Sequence, residues 1–441
     1  MIYIIIIYFT IILFAGFRTK TNSNVKDFIY AGRRLTALPL ILTLVTTWYG
    51  GISAVGQEIS DNGISTWLYF GVTYYIAAYI YSEFISDKII ERDISSITIG
   101  ILNHMGKKSA IISIPIILLY LSPAPYLIML GNIINTTLFK SSYFGISIAI
   151  GALISTLYCF KGGFKSIINT DRYQFYFMFL GFSIMIVYIL LNYDPGLNKL
   201  HMIYNKNPNL FTIPSDKGWG YIIAWGFLAM LIFVDPSFHQ RTFSSKNKAE
   251  IKKAIRLSIV CWFIFDMMTL FCGLYAIQFN SNTPYVTLAS NIFEAQPIFY
   301  GIFIISILSV IMSTIDSYTF ISSITIGRDL KKIFNKKPTQ KDIRWGIFLS
   351  LIISLIIILF FDNNRIIDIW FTFGTYMVTG LLVPFIFILF NIKIKHPPAF
   401  IALPILLTLF WDLMQIEYLL SIYPGLLLSI ILGFFLRKKI S

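Results

Sequence analysis

Apolar runs of about 20 residues, long enough to cross a bilayer, recur from one end of this 441-residue chain to the other. Only short polar connections separate them. A chain so patterned has no exterior for a water-soluble domain, since backbone groups in hydrocarbon must be satisfied within helices or closed barrels. Thirteen spans are expected, at about 2–16, 37–56, 64–83, 110–133, 143–160, 173–192, 218–239, 257–278, 297–326, 345–361, 366–390, 398–413 and 419–436. Charged residues make up 13% of the chain, about half the share usual in soluble proteins, and mean hydropathy is +0.74. The fold class read from this is an all-α polytopic membrane protein.

Lysine and arginine give the orientation, because cytoplasmic loops collect them. With the N-terminus outside, the loops on the other side and the C-terminus hold 30 of the 35 basic residues. The opposite loops keep only Lys140, Lys199, Lys206, Lys217 and Arg365. The expected topology is therefore N-terminus out and C-terminus cytoplasmic. The run from Met1 to Gly16 reads as a short first span, since Arg18 and Lys20 follow it, whereas a secretory signal carries its basic residues in front. Arg437-Lys438-Lys439-Ile440-Ser441 is expected to end the protein without a soluble appendage.

Several chemistries are excluded on the same ground. The net charge of +14 lies in loops between spans, not on one face of a soluble domain, so no nucleic-acid partner is expected. Cys159, Cys261 and Cys272 fall in or at the ends of apolar runs and show no metal or disulfide spacing. No GxSxG, HExxH or P-loop pattern supplies hydrolytic or ATP-driven machinery. No organic cofactor is implied, and the expected partners are the bilayer and a small solute.

The informative residues are the polar and helix-breaking ones at membrane depth. The second span carries Thr46-Thr47-Trp48-Tyr49-Gly50-Gly51 at its middle. Two glycines weaken a helix by about 1 kcal/mol each. They either open the helix to an ion and a solute or let a neighbouring helix pack closely. The seventh span breaks at Asp235-Pro236, at membrane depth or at its cytoplasmic end. In the ninth, Ser306, Ser309, Ser313, Asp316 and Ser317 share one face at intervals of three and four, and Val310 adds a carbonyl. Such a stripe offers a hard cation its oxygen ligands; the competing reading is serine glue between helices. Asp266 and Asp412 read as packed or snorkelling carboxylates. Trp48 and Tyr49, beside the glycines, and Gly50, Gly51 and Asp235 are the candidates for a substrate pocket.

Four segments resemble the sodium:solute symporter family. They are Ala31-Gly32-Arg33-Arg34-Leu35, Gly162-Gly163-Phe164-Lys165 with Thr170-Asp171-Arg172-Tyr173-Gln174, Asp235 through Arg241 with its Gln240-Arg241 pair, and Met312 through Ser317 followed by Arg328-Asp329-Leu330. The resemblance implies a leucine-transporter-type core of two inverted five-helix repeats, at 37–192 and 218–390, with an extra helix at 2–16 and two at 398–436. It implies a sodium site made by the backbone oxygens of Thr46, Tyr49 and Val310 and the hydroxyls of Ser313 and Thr314. It also implies a second cation site, for sodium or a proton, from Asp171, Ser313, Asp316 and Ser317, with Asp316 standing where the family carries a serine. Leu231 replaces the sugar carriers' aromatic gate, and Trp48 and Gly50 replace the Asp and Ser of the proline carriers. The substrate is thus expected to be neither a hexose nor proline bound in the same way. At 441 residues the chain is short for the family, with trimmed loops. The implied activity is sodium-coupled import of a small organic solute across the plasma membrane, in a bacterium the inner membrane. The rival class is a non-transporting solute sensor, for which a chain ending at Ser441 leaves no signalling module. A passive channel is a third reading and a membrane enzyme a fourth, the latter without an acid–base or metal cluster.

Overall fold

A computed structural model describes residues 2–19, 24–139, 143–361, 365–416 and 418–438. Lys20, Lys140 and Lys439, used above for orientation, and the final residues through Ser441 lie outside these. Among the described residues the chain is helical, with two isolated bridges and no strand.

Thirteen long helical elements run back and forth. Nine are long and apolar enough to cross a membrane: α2 (Ala37–Asn62), α4 (Ile97–Leu138), α5 (Phe144–Gly162), α6 (Phe164–Tyr193), α7 (Gly218–Ser244), α8 (Lys248–Phe279), α9 (Pro297–Ile333), α10 (Gln340–Phe360) and α11 (Ile366–Leu389). Three shorter apolar helices are α1 (Ile2–Phe17), α12 (Pro397–Leu413) and α13 (Ile422–Leu436). The thirteenth, α3 (65–91), is interrupted by π-helical turns at Leu68–Val72 and Tyr81–Ile85. The bridges Leu35–Ser245 and Ile394–Arg437 tie ends expected on the same side of the bundle.

The exterior is apolar. Leu359, Phe434, Phe360 and Leu413 are each more than 70% exposed, which suits contact with lipid tails and not with water. At the centre stands α9, buried at every residue from Phe303 to Ile324, as expected of a helix that is apolar nearly all round. It packs along α6, α2, α5 and α10.

Helix begins at Ile97, with Ser96 accepting from the Ile99 amide as its cap, ahead of the expected start of the fourth span. The backbone turns at Gly106 (φ 83°, ψ 174°), between the exposed His104 and Lys107-Lys108, so a short helix precedes the span itself. The span bends again at Ser122-Pro123 before resuming at Ala124. Two short helices in connections, Asn198–Lys206 and Pro284–Ile292, were also not anticipated.

Candidate functional site

Both suspected breaks are present. In α2 the α-helix stops at Trp48, a 3-10 turn covers Tyr49–Gly51, and α-helix resumes at Ile52. The glycines are required by close approach: a β-carbon on Gly50 would overlap Thr314, and one on Gly51 would overlap the Trp370 ring. Helix opening and tight packing, alternatives in the sequence, therefore coincide. In α7 the α-helix stops at Ala229, a 3-10 turn covers Met230–Val234, and Asp235 caps a second half-helix, Pro236–Ser244. All nine residues of that half-helix are buried. Asp235 accepts the Ser237 amide at 2.5 Å and the Tyr120 hydroxyl at 2.8 Å. This break is interior, not at the end of the helix.

The α2 break meets α9 through hydroxyls and carbonyls. Thr314 Oγ1 donates to the Thr47 carbonyl at 2.7 Å and lies 3.1 Å from the Val310 carbonyl. Thr46 Oγ1 donates back to Leu42. Ser313 Oγ donates to Asp171 Oδ1 on α6 at 2.6 Å and lies 3.4 Å from Thr47 Oγ1. The Thr47 and Val310 carbonyls and the hydroxyls of Thr47, Ser313 and Thr314 are thus brought to one junction. A donor set of carbonyls and hydroxyls with one carboxylate nearby suits a hard monovalent cation. It does not suit zinc or another soft metal, which would call for His or Cys, and no group of three or more His, Cys, Asp or Glu side chains forms among the described residues.

The serine stripe divides along its length. Ser306 caps back onto the Phe303 carbonyl and fills the space left by Gly181 on α6, so it is packing. Asp316 accepts a short hydrogen bond from Tyr158 on α5, and its Oδ1 has no partner. Ser317 lies 3.1 Å from Thr47 Oγ1. Next to it the fully buried Arg241 places Nη2 within 3.0 Å of the hydroxyls of Thr43, Thr47 and Ser317. Among the residues implied for a second cation, Ser313 pairs with Asp171, Asp316 with Tyr158 and Ser317 with Arg241; Thr47 Oγ1 joins Ser313 to Ser317, and Asp171 Oδ2 and Asp316 Oδ1 are buried without a partner. Arg241 and Tyr158 were not singled out from the sequence. Arg241 was visible in the Gln-Arg motif; Tyr158, one of 26 tyrosines, gave no signal.

Beside this junction lies a cavity of about 130 Å³, well above the lower limit for a single water. Ten of its seventeen lining residues are aromatic, among them Trp48, Tyr74, Tyr126, Trp225, Tyr318 and Trp370. Of the residues named from the sequence for a substrate pocket, Trp48, Tyr49 and Gly51 are on its wall, and Leu231 joins them. Two expectations need correcting. Gly50 is covered by Thr314 and Asp235 stands behind Tyr120, so neither lines the cavity. Asp266, read as a packed or snorkelling carboxylate, is its one charged wall residue, held by the hydroxyls of Tyr49 (2.7 Å) and Tyr75. Asp412, by contrast, only accepts from Tyr376.

With thirteen long helical elements among the described residues, 3-10 breaks at mid-length in α2 and α7, and an oxygen-rich junction beside a cavity, the architecture is that of a secondary transporter. Residues 28–412 match the sodium:solute symporter family, and the chain belongs to that family. It is a sodium-coupled solute symporter, a transporter and not an enzyme.

It is similar to sodium/proline symporter 2 of Staphylococcus saprophyticus, at 26% identity over 98% of this chain and 92% of that protein. It is also similar to human sodium-coupled monocarboxylate transporter 1, at 26% identity over 75% of this chain and 57% of that one. Among solved structures, a substrate-bound, outward-open Na+-coupled sialic acid symporter shares the fold, with a TM-score of 0.76, 15% identity and coverage of 100% of this chain and 98% of that chain. Nothing among these relatives favours the sensor reading.

Proposed function

We propose that sodium binds at the α2–α9 junction, liganded by the carbonyl oxygens of Thr46, Tyr49 and Val310 and the hydroxyls of Ser313 and Thr314, and that the solute binds in the adjoining aromatic cavity. The observation that carries this reading is the Thr314 hydroxyl, which lies within hydrogen-bond reach of the Thr47 and Val310 carbonyls at once. An ion at that position would fix the α2 turn, whose next residues, Trp48, Tyr49 and Gly51, are cavity wall. Ion binding therefore organises the solute site. One charge moving down 100 mV yields about 2.3 kcal/mol, roughly a 40-fold accumulation per sodium before its own gradient is counted.

The orientation we infer is N-terminus outside and C-terminus cytoplasmic, from the 30-to-5 division of basic residues. The membrane is the plasma membrane, the inner membrane of a bacterium. The core is two inverted five-helix repeats, α2–α6 and α7–α11; the breaks in the first helix of each support this. Arg241 supplies a resident positive charge beside Thr47 and Ser317. That arrangement favours one coupled sodium over two.

The test is thermal stabilisation of the purified protein by sodium against potassium, in wild type and in Ser313→Ala/Thr314→Ala. Ion binding to the folded state alone stabilises by about 2.7 kcal/mol at a hundredfold excess over Kd. Sodium-selective stabilisation, with a Hill coefficient near one and lost in the double variant, is expected. Equal stabilisation of both proteins would remove the junction as the ion site.

A further inference from the structure

We propose that the solute is a small organic cation, carrying an ammonium group with short substituents. The inference rests on the cavity being the solute site, and adds the class of molecule it takes.

The wall supplies what such a group needs. Ammonium groups are held by the negative faces of aromatic rings, and the cavity is walled by ten of them. The rings come from several helices and pack on one another at varied angles. Tyr126 lies at 5.8 Å and 35° from Trp370, and at 5.5 Å and 84° from Tyr318. Trp48 crosses Tyr74 at 5.0 Å and 65°. The one charged wall residue is the Asp266 carboxylate; no Lys, Arg or His lines the cavity. Its two oxygens accept from Tyr49 and Tyr75, and a carboxylate offers about four lone-pair sites, so acceptor capacity remains for an ammonium.

The surrounding charges point the same way. Asp235 stands behind the wall residue Tyr120, and Asp171 and Asp316 lie near the ion junction. The cation among them is Arg241, whose Nη2 is within 3.0 Å of three hydroxyls. Between Arg241 and the cavity stand Trp48 and Tyr318, and the cleft they share with it is only about 10 Å³, at the lower limit for one water. A carboxylate-bearing solute in the cavity therefore meets an acidic wall with no cation in reach. An ammonium meets a counter-charge and π faces together.

The experiment uses the purified wild-type protein in sodium and follows tryptophan fluorescence, since Trp48, Trp225 and Trp370 are wall residues. The probes are choline, its uncharged isostere 3,3-dimethylbutan-1-ol, L-proline and L-lactate. Choline is expected to bind saturably and at least tenfold more tightly than the isostere, with neither carboxylate competing. Asp266→Asn is expected to weaken choline at least tenfold, and Asp266→Glu to recover part of the loss. Sodium-dependent stabilisation, kept in both variants, shows that they fold and that the ion reading stands. Equal binding of choline and the isostere, binding of proline or lactate in place of choline, or unchanged affinity in Asp266→Asn would each overturn the proposal. Leu231→Trp tests the underlying reading separately. It fills the cavity, and choline binding that survives it would overturn the cavity as the solute site, whatever the solute's charge.

Discussion

The two broken helices, α2 and α7, interrupt their hydrogen bonding by different means. In α2 the interruption is made by missing side chains: Gly50 and Gly51 let Thr314 and Trp370 approach the backbone directly. In α7 it is made by an added group: Asp235 caps the second half-helix through the Ser237 amide, and Pro236 needs no hydrogen-bond partner at that position. The first device leaves carbonyl oxygens turned toward hydroxyls, which suits a cation that comes and goes. The second closes its own polar groups internally, and leaves the α7 turn to serve as a wall through Leu231. The same kind of defect thus leaves polar backbone open to a neighbouring helix in α2 and makes a self-capped frame in α7.

The largest effect that would break this contrast is Gly51→Ala. The new methyl group overlaps the Trp370 ring, and overpacking of this kind costs about 1–3 kcal/mol or more. Sodium-driven uptake into proteoliposomes is expected to fall at least a hundredfold. Uptake within a few-fold of wild type would mean that the α2 turn does not have to sit against α11.

Tyr158→Phe comes next. It removes the donor from Asp316 Oδ2 and leaves a buried carboxylate whose Oδ1 is also without a partner. A loss of about 1–3 kcal/mol is expected, read as a lower unfolding temperature with sodium selectivity retained. A change of sodium stoichiometry instead would bring Asp316 into the ion pathway.

A smaller effect is expected for Asp235→Ala, which removes a cap worth about 1 kcal/mol and the acceptor of the Tyr120 hydroxyl. Uptake should drop several-fold with the sodium dependence of stability unchanged. Loss of sodium-dependent stabilisation would show that the α7 turn belongs to the ion site after all. The smallest is Gly226→Ala, in the first half of α7. Only Thr73 stands near, at an ordinary 3.8 Å, so the helix gains up to about 1 kcal/mol in propensity and uptake stays as it is. Impaired uptake would indicate a moving contact at that surface.

Much of this could be read from the chain. Span number follows from apolar length, and both breaks follow from residues that interrupt a helix whatever surrounds them. The Ser313–Thr314 junction was legible because hydroxyls are conspicuous on an apolar helix. The cavity was not. Helices that are apolar all round carry no periodicity to say which side faces protein, so Tyr74, Tyr126, Trp225 and Trp370 could not be told from the other aromatics among 74. Asp266 looked isolated because its tyrosine partners come from α2 and α3, 217 and 191 positions earlier. Ser306 and Ser313 look alike in sequence; what separates them is a glycine on α6 facing one and a carboxylate facing the other.

One consequence of the central helix concerns how such a protein can change its cargo. Thr314 and Tyr318 lie one turn apart on α9, about 6 Å along its axis, and Thr47 and Trp48 are neighbours on α2. On the proposed reading each helix holds an ion-facing residue and a solute-facing residue within a single turn, and the signal between the two ligands travels less than the width of a helix. The cavity is completed by residues of α3, α4, α7, α8 and α11 that take no part in the ion junction. Substitutions on those five helices can retune which solute is carried while the requirement for sodium stays as it was. Mutations that uncouple the two, letting either ligand pass alone, should instead concentrate in those two turns.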